Sequence, residues 1–286
     1  MRLLTTADLH YNHPRSGALA NQLIDEMNAV DADVLLVIGD TASGDGEFLE
    51  QCLSRFQFAG PKLFVAGNHE LWTKRGASNR LFAEELPRRV RSLGWHWLQD
   101  EPLVLGDWGF VGSIGWYDYG FALPELGIPA RFYERKISPA AAAQMSEFAD
   151  LLPIPDDLPD RSRETFARWN DGRFVSLGMS DEAFLSQLLA QLEGQLSAIG
   201  STNVIAAVHH VPFAQLLPPP GRAALDFARA YLGSGRLGEV LMRFPAVRVA
   251  LCGHTHFAAE ADVGHIRAIN IGSGYRRKLY RMLELS

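Results

Sequence analysis

KLFVAGNHELW, residues 62–72, runs from an apolar segment straight into an Asn, a His and a Glu. The apolar part reads as a buried strand. Its end reads as a place where polar side chains meet a ligand, because sites gather on loops held by rigid elements. Far along the chain VRVALCGHTH (247–256) ends in the same manner. Five further runs share the pattern: RLLTTAD (2–8), DVLLVIGD (33–40), WGFVGSIGW (108–116), NVIAAVHH (203–210) and IRAINIGS (266–273). Their apolar centres are near-continuous, which suits strands covered on both faces. Helical spacing fills intervals between them, in GALANQLIDEMNAV (17–30), GEFLEQCLSRFQF (46–58), SNRLFAEELPRRVRSL (78–93) and SDEAFLSQLLAQLEGQLSAI (180–199). Pro87 predicts a kink or break in the third, and Ser180 or Asp181 caps the fourth. The alternation implies an α/β layered sheet.

Residues 117–179 interrupt this rhythm with prolines and aromatics and no clear strand. They read as a cap inserted over the sheet's C-terminal edge within one domain spanning 1–286. At 286 residues and 47% hydrophobic the chain can bury a full core. A net charge of −6 provides no field for steering onto nucleic acid. PRRVR (87–91) and RKLYR (277–281) are the basic clusters. The start MRLLTTADLH lacks a signal-peptide pattern, and no run reaches the ~18 apolar residues of a membrane span. Two cysteines, Cys52 and Cys252, predict reduced thiols. A cytoplasmic protein without membrane contact is the expectation.

The chemistry-bearing groups stand where strands end, which is where open α/β sheets bind ligands. They are Asp8 and His10, Asp40, Asn68-His69-Glu70, His209-His210, and His254 and His256. In extended chain, i and i+2 point the same way, so Asp8/His10 and His254/His256 could each grip one site. Two distant cysteines exclude a Cys-based zinc site, and HExxH is absent. A His/Asp/Asn set suits Mn, Fe, Zn or Co. Residue frequencies give G-H-x-H about 0.02 chance occurrences in such a chain and G-N-H-[DE] roughly 0.003, so their joint presence is informative. A lone Asp8 or Asp40 would more often be a cap or turn residue. His13, His96 and His265 read as ordinary histidines, Glu70 as a helix cap or a support for a ligand. Trp116, Tyr117 and Tyr119 fit either a pocket wall or the core, and Trp169-Asn-Asp171 is open in the same way.

The series D-x-H, GD, GNHE, HH and GHTH, from residue 8 to 256, resembles the calcineurin-like metallophosphoesterases. That resemblance implies a two-sheet β-sandwich flanked by helices and a pair of divalent metals. It assigns Asp8, His10 and His256 to one metal, Asn68, His209 and His254 to the other, and Asp40 to both. A carboxylate can bridge cations about 3.5–4 Å apart. His69 would be the acid beside the leaving group. The implied activity is hydrolysis of small phosphate monoesters or diesters by a metal-bridging hydroxide. A metal-dependent nuclease of the same family is the alternative, and a non-catalytic module on the same fold a third. The family's protein phosphatases carry G-D-x-x-D-R-G, whereas this chain reads GDTASGDGE. That departure points to small-molecule phosphatases and phosphodiesterases.

Overall fold

The structure, a computed structural model, describes residues 1–152 and 165–286. The cap segment's residues 153–164 lie outside the described residues. Strands β1 (Arg2–Ala7), β2 (Val34–Ile38), β3 (Lys62–Val65) and β4 (His96–Trp97) form one sheet with β11 (Tyr280–Glu284), in the order β11-β1-β2-β3-β4. The other sheet holds β5 (Leu103–Leu105), β6 (Trp108–Ser113), β7 (Asn203–Val208), β8 (Val247–Cys252), β9 (Ala259–Val263) and β10 (Ile266–Asn270), in the order β5-β6-β7-β8-β10-β9. Only the pairings β1–β11, β5–β6 and β9–β10 are antiparallel.

Continuous apolar runs follow from burial on both faces. Leu3, Leu36 and Ile38 point between the sheets, against Phe110, Ile205, Leu251 and Ile269. Their neighbours Leu4, Leu35 and Val37 point outward, into a layer with Ile24 and Met27 of the helix Gly17–Asn28. A period of two therefore leaves no polar face. All seven strand readings hold. The missed strands are β4, only two residues long, and β5, β9 and β11 at or near sheet edges, where one face meets solvent. Such edges lack the apolar run that marks the central strands.

Pro87 does not break its helix. Residues Leu81–Glu85 widen into a π-turn, with Leu86 N–H bonded to the Leu81 carbonyl, and Leu86–Ser92 continues as α-helix. A π-turn accommodates the missing proline N–H and the ring's clash with the preceding turn. Ser180, not Asp181, caps Asp181–Ala198, its hydroxyl accepting from Ala183 N–H at 3.2 Å. That helix packs against β6. Trp116 and Tyr117 are fully buried and belong to the core. Both cysteines are buried and free. Among the described residues no helix is long and apolar enough to cross a membrane.

Candidate metal centre

The loops leaving β1, β2, β3, β7 and β8 converge at one end of the sandwich. They do not leave as extended chain. Asp8, His10, Asp40, His254 and His256 have φ of 52, 42, 50, 71 and 57°. Left-handed backbone in a non-glycine residue costs about 1 kcal/mol or more and persists where the surroundings impose it. Here it folds each side chain back over the strand ends. The pairing expected from i, i+2 geometry therefore holds only in part. Asp8 and His10 share a group, but His254 and His256 go to different ones.

Two sets of donor atoms form. Asp8, His10, Asp40 and His256 make one, Asp40, His209 and His254 the other, the atoms of each lying within 4.8 Å of one another. Asp40 belongs to both. Its Oδ1 lies 3.3 Å from His209 Nε2 and its Oδ2 3.9 Å from His10 Nε2. Ring nitrogens face each other at 2.8 Å (His10 Nε2 and His256 Nε2) and 3.2 Å (His209 Nε2 and His254 Nδ1). Asn68 is buried beside them, and its Oδ1 has no hydrogen-bond partner. Convergent lone pairs, shared carboxylate oxygens and an orphaned amide oxygen together fit divalent cations. His210 points its Nδ1 at the Ile114 carbonyl and packs its ring on Trp116, Tyr117 and His254.

The backbone around these groups is tightly bound. Glu70 accepts N–H bonds from Asp40 (2.9 Å), Thr41 (2.6 Å), Ala42 (3.0 Å) and Gly67 (2.6 Å), joining the loops after β2 and β3. This is the support role, not a helix cap alone. Asp8 accepts the His254 N–H at 2.9 and 3.1 Å, a bond from one sheet to the other. The Ile38 carbonyl, 3.1 Å from His209 Nδ1, and the Tyr231 carbonyl, 3.2 Å from His254 Nε2, fix which nitrogen each ring turns to the site. The glycines before the site residues serve different ends. Gly39 takes φ 67°, whereas a Cβ on Gly67 would collide with Asp40 Oδ1.

Burial dominates the electrostatics. It pushes the Asp8 carboxyl up to about 8 and the His256 imidazole down to about 4. Burial and neighbouring imidazoles hold His10 and His254 well below the usual imidazole value, so both rings are neutral donors. Asp40 goes the other way. Burial raises it, but His69, His209 and His10 outweigh that and keep it ionised. Burial likewise lowers His209, yet Asp40 and Asp8 lift it to about 9. The ionised Asp40 above all thus draws a positive charge onto the nearest ring, which is the charge a cation would supply.

A calcineurin-like phosphoesterase model matches residues 1–258. The chain belongs to that family. It is a phosphoester hydrolase, and the family depends on two metals. The fold of this metallophosphoesterase is similar to that of a phosphopantetheinyl hydrolase from Mycobacterium tuberculosis. The two share 17% identity and a TM-score of 0.67, over 97% of this chain and 95% of that one. It is also similar to a dimetal phosphatase from Danio rerio, with 12% identity, TM-score 0.50, and coverage of 99% and 91%. No curated protein matches the sequence.

In this metallophosphoesterase the donor groups open onto a cavity of about 730 Å³. His69 stands at its floor, stacked on Trp72 with centroids 3.6 Å apart, its Nε2 3.8 Å from Asp40 Oδ2. Burial lowers its pKa. Trp169, Tyr275, Arg168 and the 218–222 loop supply the walls. Tyr275 lies over His10 at 4.3 Å, and Lys278 donates to the Asp8 carbonyl at 2.7 Å. Tyr275 carries no sequence signal, and Lys278 appeared only as part of the basic cluster RKLYR. Asp171 is buried in contact with Asn68, far from every motif.

Proposed function

We propose that this chain hydrolyses small phosphate esters with two divalent cations held by the rim side chains. Asp8, His10 and His256 would hold one and Asn68, His209 and His254 the other, with Asp40 shared. The observation that carries this reading is the shared carboxylate, whose two oxygens face two separate donor groups. Mn, Fe, Zn or Co would suit these donors. When bound, such cations neutralise phosphate oxygens and lower the pKa of water. The protein's own groups do the remainder. Neutral His10 and His254 present lone pairs without first losing a proton. The Ile38 carbonyl holds the His209 ring in place. His69, at the cavity floor, is the group placed to give a proton to the leaving oxygen. Burial disfavours its protonated form, and an arriving phosphate anion opposes that effect.

The walls support a leaving group with apolar and aromatic surface. Trp72, Trp169, Pro218 to Pro220, Leu225 and Phe257 line the cavity. A phosphopantetheinyl diester is a second reading, favoured by near-complete coverage of the M. tuberculosis hydrolase fold. A nuclease role has less support. In PRRVR, Arg89 is bound to Glu50 and the Gly44 carbonyl, and Arg91 to Asp100 and Glu101. Lys278 of RKLYR is turned inward. A panel of alkyl and aryl monoesters, diesters, cyclic nucleotides, a phosphopantetheinyl diester and DNA, assayed with added Mn²⁺, tests the reading. Turnover of DNA alone would overturn it.

A further inference from the structure

Asp171 lies in the cap segment, outside every motif, and is fully buried. Its carboxylate accepts four hydrogen bonds. Oδ1 takes Asn68 Nδ2 at 2.8 Å and Trp72 Nε1 at 2.6 Å, while Oδ2 takes Tyr117 O–H at 3.0 Å and Trp169 Nε1 at 2.8 Å. All four partners donate, so each carboxylate oxygen accepts two hydrogen bonds. The bond to Asn68 decides how that amide lies. With Nδ2 tied to Asp171, Oδ1 is turned the other way, buried and without a partner. The bond to Trp72 fixes the indole on which the His69 ring is stacked.

We infer that Asp171 is a positioning residue of the dinuclear site: it orients the Asn68 amide oxygen toward the cation it shares with His209 and His254, and it holds the Trp72 platform beneath His69. The inference rests on the two-metal reading. It also gives the cap segment a task beyond lining the pocket, because the segment reaches back to a ligand. A carboxylate behind a neutral amide polarises it, placing more negative charge on the oxygen that faces the cation.

The test measures Mn²⁺ binding to the metal-stripped full-length chain by titration calorimetry, alongside the electron-spin signal of a coupled manganese pair. Two equivalents on the unaltered chain test the two-metal reading, and their absence would defeat that reading alone. Asp171→Asn should weaken the second equivalent about 10–100-fold and replace the coupled signal by that of isolated Mn²⁺. Tyr117→Phe, which removes a bond to Oδ2 only, should keep both equivalents. If Asp171 acts through Asn68, Asn68→Ala combined with Asp171→Asn should bind no more weakly than Asn68→Ala itself. Additive losses would overturn the inference, as would an Asp171→Asn chain with two equivalents at unchanged affinity. Asn68→Asp tests the same contact with Asp171 intact, should its replacement prevent folding. A carboxylate would ordinarily bind Mn²⁺ more tightly than an amide, yet here it would face Asp171 at hydrogen-bond distance. Weaker binding is expected, and equal or tighter binding would refute the idea.

Discussion

Glu70 and Asp171 are both fully buried carboxylates accepting four hydrogen bonds within the same site. Their donors differ. Glu70 gathers backbone N–H groups from the rim loops, whereas Asp171 gathers an amide, two indoles and a phenol. Backbone donors cannot turn elsewhere without unfolding their loop, while side chains can rotate. The rim is thereby built into the backbone of the fold, while Asp171 holds side chains that have other rotamers open to them. Glu70 also stands inside a motif, two residues from Asn68, and Asp171 stands 103 residues from it.

The largest effect should come from the rim itself. Asp40→Ala should release both metals and lower kcat/KM by more than about 10⁴-fold, since the transition-state charge loses both cations. Metal analysis with kinetics would show it, and two metals with normal turnover would break the primacy of the rim.

His69 joins the two regions, as a rim residue on a platform that the cap holds. His69→Asn should keep both metals and lose about 10²-fold or more on alkyl phosphates, but less on nitrophenyl phosphates, whose leaving group needs no proton. Because burial lowers its pKa, the protonated fraction grows as pH falls. The deficit on alkyl esters should therefore widen toward acid. An equal loss on both ester types at every pH would make His69 a positioning group.

Stability separates the two carboxylates directly. Glu70→Gln turns an amide N–H₂ toward fixed backbone donors and should destabilise the metal-free chain by about 3 kcal/mol in urea unfolding. Asp171→Asn, among donors that can rotate, should cost about half of that in the same measurement. Equal costs would erase the distinction. The smallest effect belongs to the cavity mouth. Arg222→Ala should raise KM roughly three- to tenfold for esters with a second anionic group and leave kcat unchanged. A fall in kcat would place Arg222 nearer the chemistry.

The sequence carried the central strands because each is buried on two sides, and it carried the rim because each of those residues stands just past the end of such a strand. What it did not carry has physical reasons. β9 and β11 are half-exposed edges with no continuous apolar run. Pro87 read as a kink or a break, and of the two the break is absent: the helix widens into a π-turn over Leu81–Glu85 and continues. The extended-chain argument did not apply to His254 and His256, which are left-handed and join different donor groups. Asp171 and Tyr275 reach the site through tertiary packing alone, which no local pattern records.

The strand that ends in Asp8 is zipped to β11 in register from Arg2 opposite Glu284 to Thr6 opposite Tyr280. The Met1 ammonium donates to the Leu285 carbonyl, and Lys278 reaches the carbonyl of Asp8 itself. These contacts join residues 284 and 270 positions apart. β1 therefore precedes β11 in the chain and is completed only when β11 pairs with it. Until β11 arrives, one of its edges offers unpaired N–H and C=O groups to any passing strand. Contacts between residues so far apart in sequence close slowly. A chain interrupted after residue 258 would carry every metal-motif side chain and still leave the Asp8 loop without its outer support. The Asp8 loop thus gains its outer support from a strand and a lysine that stand beyond the last motif in the sequence.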